Sequence, residues 1–143
     1  MLGRKSYSAD ELTNGRALIG ALLASHTEYT GAVAQSRNSA VEEHRAEFDP
    51  LFFTTLVLAL DRLYVHRVRA VAGREGTPVN EVELIVDGLL NNNGVFATNR
   101  VVRYSADRSV LGLRPGDTIR LSRDDFERLA AAFFADLASK FSE

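Results

Sequence analysis

Cysteine is missing from all 143 residues. Disulfides, a thiol nucleophile, iron–sulfur clusters and cysteine-based zinc sites are therefore excluded. Lysine is scarce as well: 15 of the 17 basic residues are Arg, leaving only Lys5 and Lys140. Charge of one sign is not in excess, since 17 basic and 19 acidic groups give a formal net charge of -2. No global basic surplus advertises a nucleic-acid partner. Long apolar runs are lacking too. The longest, Leu51 to Leu60, has ten residues and contains Thr54 and Thr55, whereas a membrane helix needs about 20. The opening residues, Met1 to Ser6, carry no apolar signal-peptide core. A soluble, cytoplasmic protein with no membrane contact is expected.

Catalytic signatures are equally sparse. Gly73-Arg-Glu-Gly76 leads to Pro78 rather than to the Gly-Lys-Ser/Thr of a phosphate loop. There is no Gly-x-Ser-x-Gly elbow, and the spacing of Ser, His and acids specifies no triad. These gaps point away from an enzyme.

What is present is ordinary globular material, 45% hydrophobic and 25% charged. A chain of this length suits one domain over residues 1–143. It can bury about 70% of its unfolded surface without a staple. Ser8-Ala-Asp-Glu11 is a capping box. Leu12, Ile19, Leu22, His26, Tyr29 and Val33 follow at helical spacing, which predicts a first helix to about Gln35. Ser39-Ala-Val-Glu42 repeats the box and opens a second helix. At Pro50 that helix either kinks or restarts, and it is expected to run on to Ala72, apolar nearly all round between Leu51 and Leu60. Thr77-Pro78 has the N-cap and N1 order of another helix, which Asn91 to Gly94 close.

Residues 100–104, 109–113 and 118–121 read as three short strands. Arg114-Pro-Gly-Asp117 supplies a turn between the last two. Ser122 caps a last helix with the clearest stripe in the chain: Phe126, Leu129, Phe133, Leu137 and Phe141 among others. The expected fold is α+β, mainly α. It is a bundle of about four helices with a small three-stranded antiparallel meander at about 95–121.

Candidate site residues are few. His26, in the first helix's apolar stripe, could act as a ligand or base in a bundle core, with Tyr29 beside it. The simpler reading is a hydrogen bond to a neighbouring helix. Asp61, Arg62, His66 and Arg69 are expected on one later stretch of the central helix. They could hold an anion there, or the cations could simply offset the helix dipole. A polar site built from His26, Tyr29, Asp61 and His66, with Arg62 and Arg69 nearby, is one functional option. His44 and Glu47 share a helix face but lack the second pair that di-metal bundles need, so neither metal nor cofactor is expected.

The meander carries six Arg against Asp107 and Asp117, a local charge of +4 beside a remainder of -6. Arg100, Arg103 and Arg120 could present that charge to a nucleic acid, although the whole-chain balance argues against one. Val110 to Asp117 resembles the Leu-Gly-x-x-Pro-Gly-Asp hairpin of swapped-hairpin transcription factors over eight residues. Three further segments, Leu60 to Arg67, Asn80 to Leu84 and Asp124 to Ala130, resemble a family of small bacterial helical proteins. That resemblance implies no activity. Apolar residues exceed what a monomeric core of this plan needs. The leading expectation is therefore a non-enzymatic protein acting by protein–protein contact, as a homodimer.

Overall fold

A computed structural model describes residues 3–143. The architecture is helical, with α1 (Ala9–Ser36), α2 (Ser39–Leu63), a single turn α3 (Arg69–Ala72), α4 (Pro78–Asn91) and α5 (Arg123–Phe141). No helix among the described residues is long and apolar enough to cross a membrane.

Helix starts follow the capping chemistry. Ser8 accepts from the Glu11 backbone N–H at 3.2 Å, and the Glu11 carboxylate accepts from the Ser8 N–H at 2.9 Å. Ser122 and Asp125 form the same reciprocal box at α5. At α2 the cap is Asn38 rather than Ser39: its side-chain Oδ1 accepts from the N–H groups of Ala40 and Val41. Pro50 lies inside α2, which runs through it as one helix.

The central helix stops sooner than its apolar pattern predicts. α2 ends at Leu63, and His66 adopts φ 68°. The Arg67 guanidinium folds back to donate to the carbonyls of Tyr64 (2.7 Å) and Asp61 (3.3 Å), and to the Asp61 carboxylate (2.6 Å). Those bonds satisfy the helix's last acceptors. Arg4 then pairs with the freed strand of chain: its N–H donates to His66 O, and its carbonyl accepts from Val68 N. The expected single helix bearing Asp61, Arg62, His66 and Arg69 is thus two pieces joined by a left-handed turn.

The β-meander does not form, and the α+β assignment is corrected to an all-helical fold. Residues 95–122 contain a 3-10 turn (Ala106–Arg108) and one isolated antiparallel bridge, Val95 to Thr118, with no strand among the described residues. The physical reason is where the backbone donors go. Val110 N and Leu111 N donate to the two oxygens of buried Glu81, at 2.8 and 3.0 Å. Leu121 N donates to Thr54 Oγ1 (2.9 Å), and Val101 N and Val102 N share Asn99 Oδ1. Donors taken by side chains are not available to a ladder. The expected alternation survives locally, since Ile119 and Leu121 are buried and Arg120 is exposed, but it belongs to a single extended stretch.

The core gathers the C-terminal half of α2, α4, α5 and this loop. Phe53, Leu60, Tyr64, Ile85, Phe96, Phe126, Phe133, Leu137 and Phe141 are all essentially inaccessible. Each such side chain contributes about 1.5–3 kcal/mol by leaving water. Above the core, α1 and α2 continue as a two-helix arm. Between Gly20 and Phe52 only Val33 is buried. At 1.5 Å per residue, the arm extends about 20–25 Å.

Candidate functional site

The arm's root is stitched by a chain of polar groups across three helices. His26 lies on α1 where it meets α2, its side chain 9% exposed, between the rings of Phe52 and Phe53. Its Nε2 is 3.1 Å from Asp49 Oδ1, and its Nδ1 is 2.9 Å from Nη1 of Arg123 at the start of α5. A guanidinium has no acceptor lone pair, so Nδ1 must accept and Nε2–H must donate to Asp49. Asp49 also takes Arg45 at 2.8 Å, Arg45 takes Glu42, and Arg123 takes Glu127. Both imidazole nitrogens are therefore engaged, and the one basic lone pair, on Nδ1, is taken up by the Arg123 guanidinium. This is a latch between helices, close to the simpler reading of His26, with Asp49 and Arg123 as the partners.

Tyr29 stands beside the latch, its ring centroid 6.1 Å from the imidazole, and is 44% exposed. Together with Leu22, Ser25, His26, Phe48 and Phe52 it lines a groove of about 270 Å³ between α1 and α2. Phe48 and Phe52 are shared with a second groove of about 390 Å³, lined otherwise by Leu51, Thr55, Leu56 and Ala59. The two form one continuous strip whose lining includes no Asp, Glu, Lys or Arg. Phe48 and Leu51 are 51% and 64% exposed. Such a contiguous strip exceeds the singly scattered apolar residues of an ordinary surface.

Asp61 and His66 lie elsewhere. Twelve residues separate Asp49 from Asp61, about 18 Å along α2. With Arg67, Arg69 and Glu83 they line a polar hollow of about 220 Å³. Its charges are matched internally: Asp61 holds Arg67, and Arg69 holds Glu83 while also donating to Gly73 O. Arg62 is exposed at the end of α2. The four residues considered for one site thus fall into two concavities of opposite character. No group of three His, Asp or Glu able to hold a metal occurs among the described residues. His44 and Glu47 are an exposed pair at 3.9 Å.

Arg100, Arg103 and Arg120 are exposed on the loop that replaces the meander. Arg103 reaches exposed Glu75 at 3.4 Å, and its backbone N–H is held by Arg74 O. They do not share a sheet face, because there is no sheet. In the core Tyr7 and Tyr64 meet edge to face at 5.1 Å between centroids, and burial raises both phenol pKa values above the usual 10.0.

Compared with protein-family models, curated proteins and solved structures, the chain matches none. The functional reading therefore rests on the site itself.

Proposed function

We propose that this protein is non-enzymatic and acts by protein–protein contact, as a homodimer joined through the α1–α2 arm. The observation carrying this is the uncovered apolar strip along the arm, from Leu22 and Tyr29 across Phe48 and Leu51 to Ala59. A two-helix hairpin cannot enclose its own apolar surface, whereas two hairpins together make a four-helix bundle. The latch at His26 supports the same reading, because it uses its charged groups to hold the arm rigid. Light scattering after size-exclusion chromatography tests it. At micromolar concentration the mass should be twice the 15.7 kDa of one chain. Leu51→Asp should halve that mass while leaving the helical circular dichroism intact. A monomeric parent protein at that concentration overturns the proposal.

A further inference from the structure

We infer that the two copies pair through α2 in antiparallel fashion, about a two-fold axis passing between Leu51 and Phe52. The inference rests on the homodimer reading above and adds its partner surface, direction and register. A two-fold contact requires one patch to fit itself, so that each residue meets the one reflected across the axis. On the outer face of α2 the positions Val41, His44, Phe48 and Leu51 are followed by Phe52, Thr55, Ala59 and Arg62. Reflection about the 51/52 midpoint sets Phe48 against Thr55 and His44 against Ala59. Val41 then faces Arg62.

Helical spacing alone makes many stripes symmetric; side-chain size is what distinguishes this centre. Phe48, half exposed, meets the hollow that Thr55 and Ala59 floor on the other copy. Large thus faces small on both sides of the axis, as close packing requires. Charge favours the same direction. The tip end of α2 carries Glu42, Glu43, Glu47 and Asp49 against the single cation Arg45, which pairs with Glu42 and Asp49, and its base end carries Arg62, which has no ion-pair partner among the described residues. An antiparallel pair brings base to tip, whereas a parallel pair stacks the acidic ends.

The size of the face agrees. Val41 to Arg62 spans about 32 Å of helix, and α1 with Leu22 and Tyr29 widens the hairpin to about 20 Å. The resulting footprint, about 600 Å² before surface relief, approaches the roughly 800 Å² per partner of a standard stable interface.

The absence of cysteine makes thiol cross-linking a direct test. Single variants Leu51→Cys, Val41→Cys and Arg62→Cys, all at exposed positions, are treated with a short thiol-to-thiol cross-linker. Denaturing gels read the products, and light scattering of the untreated parent runs alongside. Leu51→Cys should cross-link to itself in most of the protein. Val41→Cys alone and Arg62→Cys alone should not, since self-partners sit about 31 Å apart along the axis, while a mixture of the two should. A dimeric parent with self-linking Val41→Cys overturns the antiparallel register and leaves the dimer standing. A dimeric parent with unreactive Leu51→Cys moves the interface off α2. A monomeric parent removes both readings.

Discussion

Seven of the 19 residues of α5 are buried, against four of the 28 in α1, and three of those four fall between Leu12 and Ile19. Both helices open on a Ser capping box and both carry an apolar stripe. One difference is cover. α5 lies under α2, α3 and α4, whereas α1 beyond the His26–Arg123 contact has only α2 beside it. Propensity and packing both separate the two: α1 carries Gly15, Gly20 and Gly31 where α5 has no Gly, and most helical stability in proteins is tertiary. The base covers most of its apolar side chains with its own chain, whereas the arm leaves Leu22, Tyr29, Phe48 and Leu51 exposed.

The contrast breaks most visibly at Phe133. Phe133→Ala should cost about 3–5 kcal/mol in urea unfolding, because its site is closed on every side. Leu18→Ala, at 52% exposure on α1, should cost about 1 kcal/mol or less. Equal losses would show that α1 is covered as fully as α5.

Two substitutions probe the joints between base and arm. A Cβ at Gly15 would stand 1.8 Å from the Tyr64 hydroxyl, which donates to Glu11 O. Gly15→Ala should therefore displace that ring and lower stability by about 1–3 kcal/mol. Glu81→Gln should cost a similar 1–3 kcal/mol by discharging the acceptor of Val110 N and Leu111 N. Amide hydrogen exchange at those two residues should accelerate, and unchanged exchange would show that the loop holds itself.

A gain sharpens the same comparison. Nothing lies within 4 Å of a Cβ placed at Gly31, so Gly31→Ala should raise the thermal midpoint through about 0.5–1 kcal/mol of helix propensity. The smallest effect is a pH limb. The Arg4 fork, then the Ser8 backbone N–H, lowers the Glu11 pKa from 4.5 to about 2. Because the folded value is the lower one, the contribution is complete above about pH 4.5. It is lost as pH falls toward 2. Thermal melts between pH 5 and 2 should show Glu11→Gln losing less stability than the parent; parallel curves would assign the acid limb to other carboxylates.

Much of the helical plan was legible along the chain, because its signals are local. Ser8 with Glu11, Thr77 with Pro78 and Ser122 with Asp125 each mark a start within four residues. The misread parts depend on distant partners. Val110, Leu111 and Leu121 look like strand residues, but the groups that take their N–H bonds, Glu81 and Thr54, are 29 to 67 residues away. Glu81 did leave a trace: an acid one helical turn before buried Ile85. The break after Leu63 has no Gly or Pro to announce it, since it is made by Arg67 and Arg4. The His26 latch closes onto Arg123 across 97 residues, so sequence pointed to the histidine but not to its partners.

Tyr7 sits beside Ser142, with its N–H bonded to Phe141 O and its ring against Phe141. Tyr7 and Ser142 thus lie together, next to Tyr64 and about 39 Å down α2 from the Asn38 tip. A label or tether attached at either place sits at the base of the protein, clear of the arm. In the antiparallel pair proposed above the two bases would lie at opposite ends, so anything carried there would be held apart by the length of the helices.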